Sequence, residues 1–366
     1  MKDSDIMIVV GALLGAAILA TGQQTGSEWK LRYYASSPDQ LHFTVERYRA
    51  DGHWTFNRDV PLSHFRGLSL DTLNHGGSAK FEYVQDAGRL VCRGGFSWSR
   101  GSGSFTFVPN PAFPAELAKL GYDAPNEDQL FSMLIQDVGL EFARVVRDAG
   151  LNASTNQLVE LRIHGVTPDY IRETQRAGYR NFRAKDYVDI KIHGVPSEFL
   201  RELREAGYDL SAQQVIELRI HGVNSEFMDD LKQAGYELSP AQITELKIHG
   251  VDSRFIRDLK SDGLQPKASD LVQFKIHGVT PEFLKELKEA GYGSLSEDQI
   301  AQLKIHGVST GFIRQAGDLG YHFSPQDLTE LHIHGVDAEY LRRLRDSGMR
   351  HLDAQQIAKL KMHGVD

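Results

Sequence analysis

Apolar and polar residues alternate on two different periods along this chain, and the change of period divides it. Between residues 29 and 108 the apolar positions recur every second residue: Trp29, Leu31 and Tyr33; Leu41, Phe43 and Val45; Phe81 and Tyr83; Phe105 and Phe107. Period two puts successive side chains on opposite faces, so each run predicts a half-buried strand. Ser36-Ser37-Pro38-Asp39, Ala50-Asp51-Gly52, Asp86-Ala87-Gly88 and Gly101-Ser102-Gly103 separate the runs and suit short antiparallel connections. Residues 28–109 therefore read as an all-β domain of roughly six to eight strands, a sandwich or barrel that leaves few bare edges. Leu90 and Cys92 share one side of a strand, which makes the single cysteine a core thiol.

Further on, the period becomes helical and repeats itself. His-Gly-Val recurs eight times, with its histidines at His164, His193, His221, His249, His277, His306, His334 and His363, spaced 28 or 29 residues apart. Residues 211–238 show one repeat. Ser211 caps a first helix that runs to His221, and Gly222 supplies the left-handed residue that ends it. In such an ending the residue after the glycine packs on the third-last helical position, which explains the five-residue spacing of Leu218 and Val223. Leu161 and Val166, Leu246 and Val251, Phe274 and Val279, and Leu303 and Val308 repeat it. Asn224 caps a second helix whose Phe227, Met228, Leu231 and Ala234 form one apolar stripe. Thr167-Pro168 and Thr280-Pro281 mark the same start in sister repeats. The aromatics after the closing glycine, Tyr179, Tyr208, Tyr236, Tyr292 and Tyr321, suit the gaps between layers.

Helices this short are marginal alone, so each repeat must lean on its neighbours. Residues 112–366 thus read as an α-solenoid of helix pairs. Its regular part is 151–366, and 112–150 are degenerate capping repeats in which Gln136-Asp137-Val138 stands for His-Gly-Val. The whole is an α+β multidomain chain. The last repeat stops after its first helix, which offers an apolar edge to a head-to-tail copy. In 310–320, Gly311, Ala316 and Gly317 weaken one second helix.

Composition adds a partner class and a destination. A net charge of -8 argues against nucleic acid as the main partner. Residues 6–20 are an apolar stretch of signal-peptide length, and Ala20-Thr21-Gly22 offers small residues for cleavage. Lys2 is offset by Asp3 and Asp5. Residues 1–22 therefore read as a signal peptide or a retained N-terminal anchor. Either exports the remainder, periplasmic or extracellular, with membrane contact only through that segment and, if it is kept, the inner membrane as its seat.

At this point the residues carry a resemblance. Leu-Arg-Ile-His-Gly-Val-Thr-Pro at 161–168, echoed by Glu282-Phe283-Leu284 and Gly291-Tyr292, resembles the repeat regions of uncharacterised bacterial envelope proteins. Some of those repeats follow membrane metallopeptidase sensors related to the β-lactam receptor family, and Gly103-Ser104-Phe105-Thr106-Phe107 is similar to the stretch before them. The likeness covers most of the chain after residue 28. No His-Glu-x-x-His occurs here, so peptidase activity does not carry over. The resemblance implies an exported module for sensing or scaffolding.

Candidate chemistry is sparse. One row of histidines a layer apart cannot chelate a metal whose ligands lie ~2.0 to 2.1 Å from it, whereas a helix-end histidine can bond the last carbonyls. The eight histidines therefore read as structural, with no metal or other cofactor. Two residues before each histidine stands Arg162, Lys191, Arg219, Lys247, Lys275, Lys304, His332 or Lys361. Helix-end electrostatics account for them; the functional alternative is a basic ridge for an anionic envelope polymer or an acidic protein segment. His75 near Asp71, and His64 beside Ser63, are polar loop residues by their context rather than triad fragments. Trp54 and Trp98 are core residues or the lining of a sugar site. No enzyme signature emerges. The expected function is an exported, non-enzymatic repeat scaffold for a protein or polymer partner, with a head-to-tail homopolymer or a periplasmic sensing module as alternatives.

Overall fold

The computed structural model describes residues 26–34, 36–49, 52–349 and 351–365. The apolar segment at 6–20, with its reading as signal or anchor, lies outside them. The chain divides into two compact bodies, Met1–Arg144 with Ser154–Arg162, and Val145–Ala153 with Ile163–Asp366.

The first body contains a seven-stranded antiparallel sheet: β1 (Gly26–Tyr33), β2 (Gln40–Arg49), β3 (Gly52–Pro61), β4 (Phe65–Arg66), β5 (Gly77–Gln85), β6 (Gly88–Ser97) and β7 (Arg100–Pro109), in the order β3-β2-β1-β7-β6-β5-β4. The alternating pattern holds, since Trp29, Leu31, Tyr33, Leu41, Phe43, Val45, Phe81, Tyr83 and Cys92 are all buried. The strands form one sheet, where the sequence suggested a sandwich or a barrel, and that sheet curls. Phe43 on β2 and Tyr83 on β5 would lie ~19 Å apart across four flat strand spacings. Their rings are 5.3 Å apart, and Phe43 also meets Phe65 at 5.2 Å.

Gly101-Ser102-Gly103, expected as a turn, lies inside β7. The turn is one step earlier, at Trp98 and Ser99, which adopt φ of 48° and 61°. The glycines serve close strand approach: a Cβ on Gly103 would stand 2.1 Å from the carbonyl oxygen of Arg93.

Helix Glu127–Ile135 seals one end of the curl. Its Phe131 meets Trp54 at 5.4 Å and Phe107 at 5.4 Å. The degenerate repeat keeps the ending of the regular ones, for Asp137 takes φ 56° where glycine is usual and Val138 N–H donates to the Met133 carbonyl at 2.9 Å.

In the second body, first helices Ala184–Ile192, Ala212–Ile220, Pro240–Ile248, Ala268–Ile276, Glu297–Ile305, Pro325–Ile333 and Ala354–Met362 alternate with second helices Ser197–Glu205, Ser225–Gln233, Ser253–Ser261, Pro281–Leu287, Thr310–Asp318 and Ala338–Asp346. First helices pack on first helices of the next repeat, and second helices from Ser225–Gln233 onward pack on second helices or their continuations. The caps are those the sequence implies. Asn224 accepts from Phe227 N–H at 3.0 Å, Thr167 from Tyr170 N–H at 3.1 Å, and Thr280 from Phe283 N–H at 3.2 Å.

Gly222 takes φ 73°, Gly222 N–H donates to Arg219 O at 3.0 Å, and Val223 N–H reaches Leu218 O at 2.9 Å. Leu218 and Val223 are both buried, as their spacing requires. The tyrosines add a tie that apolar filling does not foresee. The hydroxyls of Tyr208, Tyr236 and Tyr292 each donate at 2.7 Å to a carbonyl in the next repeat, at Leu238, Pro266 and Phe323.

Candidate interaction surface

Each first helix ends on the same surface. Its C-cap is the histidine, at φ near -87° in His193 and His249, and the glycine then turns the chain back. Burial of the preceding leucine and the following valine fixes the rotation of the helix about its axis. The residue between leucine and histidine that follows the cation must then face outward. That residue is Ile163, Ile192, Ile220, Ile248, Ile276, Ile305, Ile333 or Met362, and each is between 51% and 61% exposed. An outward isoleucine in one helix would be unremarkable; the same register position in every repeat, on helices that stack in series, makes an apolar row. The sequence holds the signal, since an apolar residue, isoleucine in seven repeats and methionine in the last, precedes every one of the eight histidines off the buried stripe.

An acidic column runs one turn before this row, at Glu160, Asp189, Glu217, Glu245 and Glu330. On the other side stand the histidines. His193 Nδ1 lies 2.8 Å from the Asp189 carbonyl oxygen, the helix-end bond expected of it, and His306 Nε2 lies 3.1 Å from Gln302 Oε1. Among the described residues no group of three or more His, Cys, Asp or Glu side chains is placed to hold a metal ion.

The basic positions are arranged in a way their spacing does not reveal. Lys191 Nζ sits 4.4 Å from the Tyr170 ring centre, Lys247 4.6 Å from Phe227, Lys275 4.4 Å from Phe255, Lys304 4.6 Å from Phe283, and Lys361 4.4 Å from Tyr340. Every ring belongs to the second helix of the preceding repeat. His332 repeats the placement, its ring 6.4 Å from that of Phe312. Arg219 stands outside this set. In the first body, Arg162 lies 5.4 Å from the Phe142 ring and its Nη2 is 2.9 Å from Asp137 Oδ2. Burial pulls the Arg162 pKa down, against the raising influence of Asp137. These cations thus join repeats through ring faces.

The remaining candidates disperse. Trp98 is 88% exposed at the β6–β7 turn, while Trp54 is half-buried on edge strand β3, with β2, β1 and β7 between them, so the two do not share a sugar site. Trp54 lines a cleft of about 250 Å³ with Arg47, His53, Asp128, Phe131 and Ser132, but its cation is engaged, for Arg47 covers Phe131 at 4.4 Å and reaches Glu127 and Asp128. His75 meets Asp71 at 2.9 Å on the helix Leu70–His75, with both side chains exposed, and His64 meets Gln85 at 2.7 Å. Neither pair faces a serine in a triad arrangement among the hydrogen bonds of the described residues. Burial pushes the Cys92 thiol well above its ordinary range, the state of an inert core cysteine. No described helix is long and apolar enough to cross a membrane.

Compared with known proteins, the chain matches no family model, and no curated protein matches it.

Proposed function

We propose that the helical repeats form an α-solenoid and act as a non-enzymatic scaffold, with the isoleucine row as the strip on which a partner protein lies. The row carries this reading. Seven isoleucines and one methionine at one register position, each more than half exposed, hold roughly 100 Å² apiece, about 800 Å² together, the area one side contributes to a stable protein interface. A solenoid repeats that position at a constant step, which suits a long partner surface better than a compact ligand. The ring-seated lysines belong to the framework in this reading, so the partner is a protein with an apolar face rather than a polyanion. The curled sheet serves as a barrel-like head on the same chain. Export to a bacterial envelope, as signal-cleaved or anchored protein, is part of the proposal and draws on residues 1–22 and on the resemblance of the repeats.

The test compares the full chain with an Ile220→Ser, Ile248→Ser, Ile276→Ser variant, both immobilised and exposed to native envelope extract. A protein held by the first and lost by the second, with unchanged helical circular dichroism, is the expected result. Equal retention by both would overturn the assignment of the row.

A further inference from the structure

The outer face of the sheet carries a feature unrelated to the helical row. Trp29, Leu31 and Tyr33 point into the curl, so Lys30 and Arg32 point out. Arg32 lies directly opposite Arg100 on β7 and directly opposite His42 on β2. Lys30, one step along, stands between Ser102 and Thr44. Cross-strand partners share a face at short range, and like charges there repel. The repulsion is not relieved among the described residues. Arg100 makes no ion pair among the described residues, and Arg32 donates to the neutral Tyr34 hydroxyl at 3.0 Å. Lys30 is held by Glu46 at 2.7 Å and His42 by Asp59 at 2.9 Å, which leaves the two guanidiniums as the uncompensated charges.

These side chains line a groove of about 450 Å³, floored by backbone at Leu31 and Gly101. It is open, it is on a strand framework, and its neutral hydroxyls, Thr44 and Ser102, flank Lys30 on either side. We infer that this groove binds a phosphate-type oxyanion, bridged by Arg32 and Arg100. Guanidinium forks match phosphate oxygens in pairs, Lys30 adds a point charge that it shares with Glu46, and the Ser102 hydroxyl supplies a neutral donor, that of Thr44 being engaged with Asn57 Oδ1 at 3.2 Å. Two unpaired positive charges match a phosphomonoester, which carries about -1.5 to -2 near neutral pH, better than a single carboxylate. A free phosphate and the phosphomonoester headgroup of phosphatidic acid share this chemistry.

The test uses the full chain with inorganic phosphate as probe, and Arg32→Gln and Arg100→Gln as variants. Calorimetry should show one saturable phosphate site per chain, weakened at least tenfold in each variant. Thermal unfolding gives a readout that a folding defect cannot mimic. Without phosphate each variant should melt at or above the parent, because a repulsion is removed; phosphate should raise the parent midpoint and leave the variants unmoved. Sedimentation with phosphatidic acid vesicles, against phosphatidylcholine vesicles, identifies the source: arginine-dependent pelleting that free phosphate competes away marks a headgroup, and no pelleting with intact phosphate binding marks a soluble ligand. Equal phosphate response in parent and variants, or no saturable binding of phosphate or vesicles by the parent, would overturn the inference.

Discussion

Lys247 Nζ stands 4.6 Å above the ring of Phe227, twenty residues earlier in sequence and one helix layer away. The pair couples two repeats through a charge and a quadrupole, and an exposed contact of this kind is worth about 0.5 to 1 kcal/mol. Lys247→Met keeps the aliphatic stem and removes the charge. It should destabilise by about that amount, and a double-mutant cycle with Phe227→Leu should return a coupling of similar size. A coupling of zero in thermal or urea unfolding would reduce the pair to packing alone.

Asp137 and Arg162 make the corresponding link in the degenerate repeat. Asp137 sits at φ 56°, a conformation that aspartate and asparagine tolerate better than alanine, and Arg162 is only 14% exposed in its side chain. Stability of the first body should fall in the order Asp, Asn, Ala at position 137. Asp137→Ala should cost about 1 to 3 kcal/mol, because it adds backbone strain and leaves a half-buried guanidinium without its carboxylate. Calorimetric melting of the three proteins reads the order directly.

Two tyrosines in equivalent places differ in their hydroxyls. Tyr208 donates to Leu238 O at 2.7 Å, whereas the buried Tyr179 hydroxyl has no hydrogen-bond partner among the described residues. Tyr208→Phe should lose about 0.5 to 1.5 kcal/mol and leave a carbonyl unpaired; Tyr179→Phe should be neutral or stabilising. Identical losses would contradict the distinction.

Alkaline pH acts on two of these inter-repeat tyrosines and on Tyr187 of the first helix Ala184–Ile192. Burial pushes the phenols of Tyr179, Tyr187 and Tyr236 up to about 12. A folded pKa above the unfolded value of about 10 means that the native state keeps protons which the unfolded chain releases. The contribution is whole below pH 10 and is lost as pH rises toward 12. Absorbance at 295 nm should show these tyrosines ionising late, together with loss of helical dichroism.

Helix Thr310–Asp318 should be the most labile of the second helices. Ala316 is buried where sister repeats bury leucine, and the helix carries two glycines, Gly311 in its first turn and Gly317 in its last. Hydrogen exchange should peak there. At Gly317 an added Cβ meets nothing within 4 Å and φ is not positive, so Gly317→Ala should stabilise by about 0.5 to 1 kcal/mol and slow that exchange.

Much of this was legible because capping is local. Ser211, Asn224, Gly222 and the Leu218–Val223 spacing act within a few residues, and their chemistry dictates helix ends wherever they occur. Even Asp137 was readable as a glycine surrogate from register alone. The lysine seats were not, because they depend on how far one layer turns against the next, a quantity that no single repeat encodes. The isoleucine row was hidden by its own hydrophobicity: position type suggested core, and only the rotation set by the buried leucine and valine turns it outward. In the sheet, the glycines at 101 and 103 looked like a turn, since a close strand crossing and a reversal ask for the same residue. The opposition of Arg32 and Arg100 needed the pairing of β1 with β7, which is remote in sequence.

The tyrosine ties at Tyr208, Tyr236 and Tyr292 span 30 or 31 residues, about one period, and each donor finds the same kind of acceptor ahead of it. A block cut out between matching points of two repeats would therefore bring an identical donor to an identical acceptor. Copy number in this array can grow or shrink by duplication or loss, and every joint in the lengthened or shortened protein is one that has already been tried.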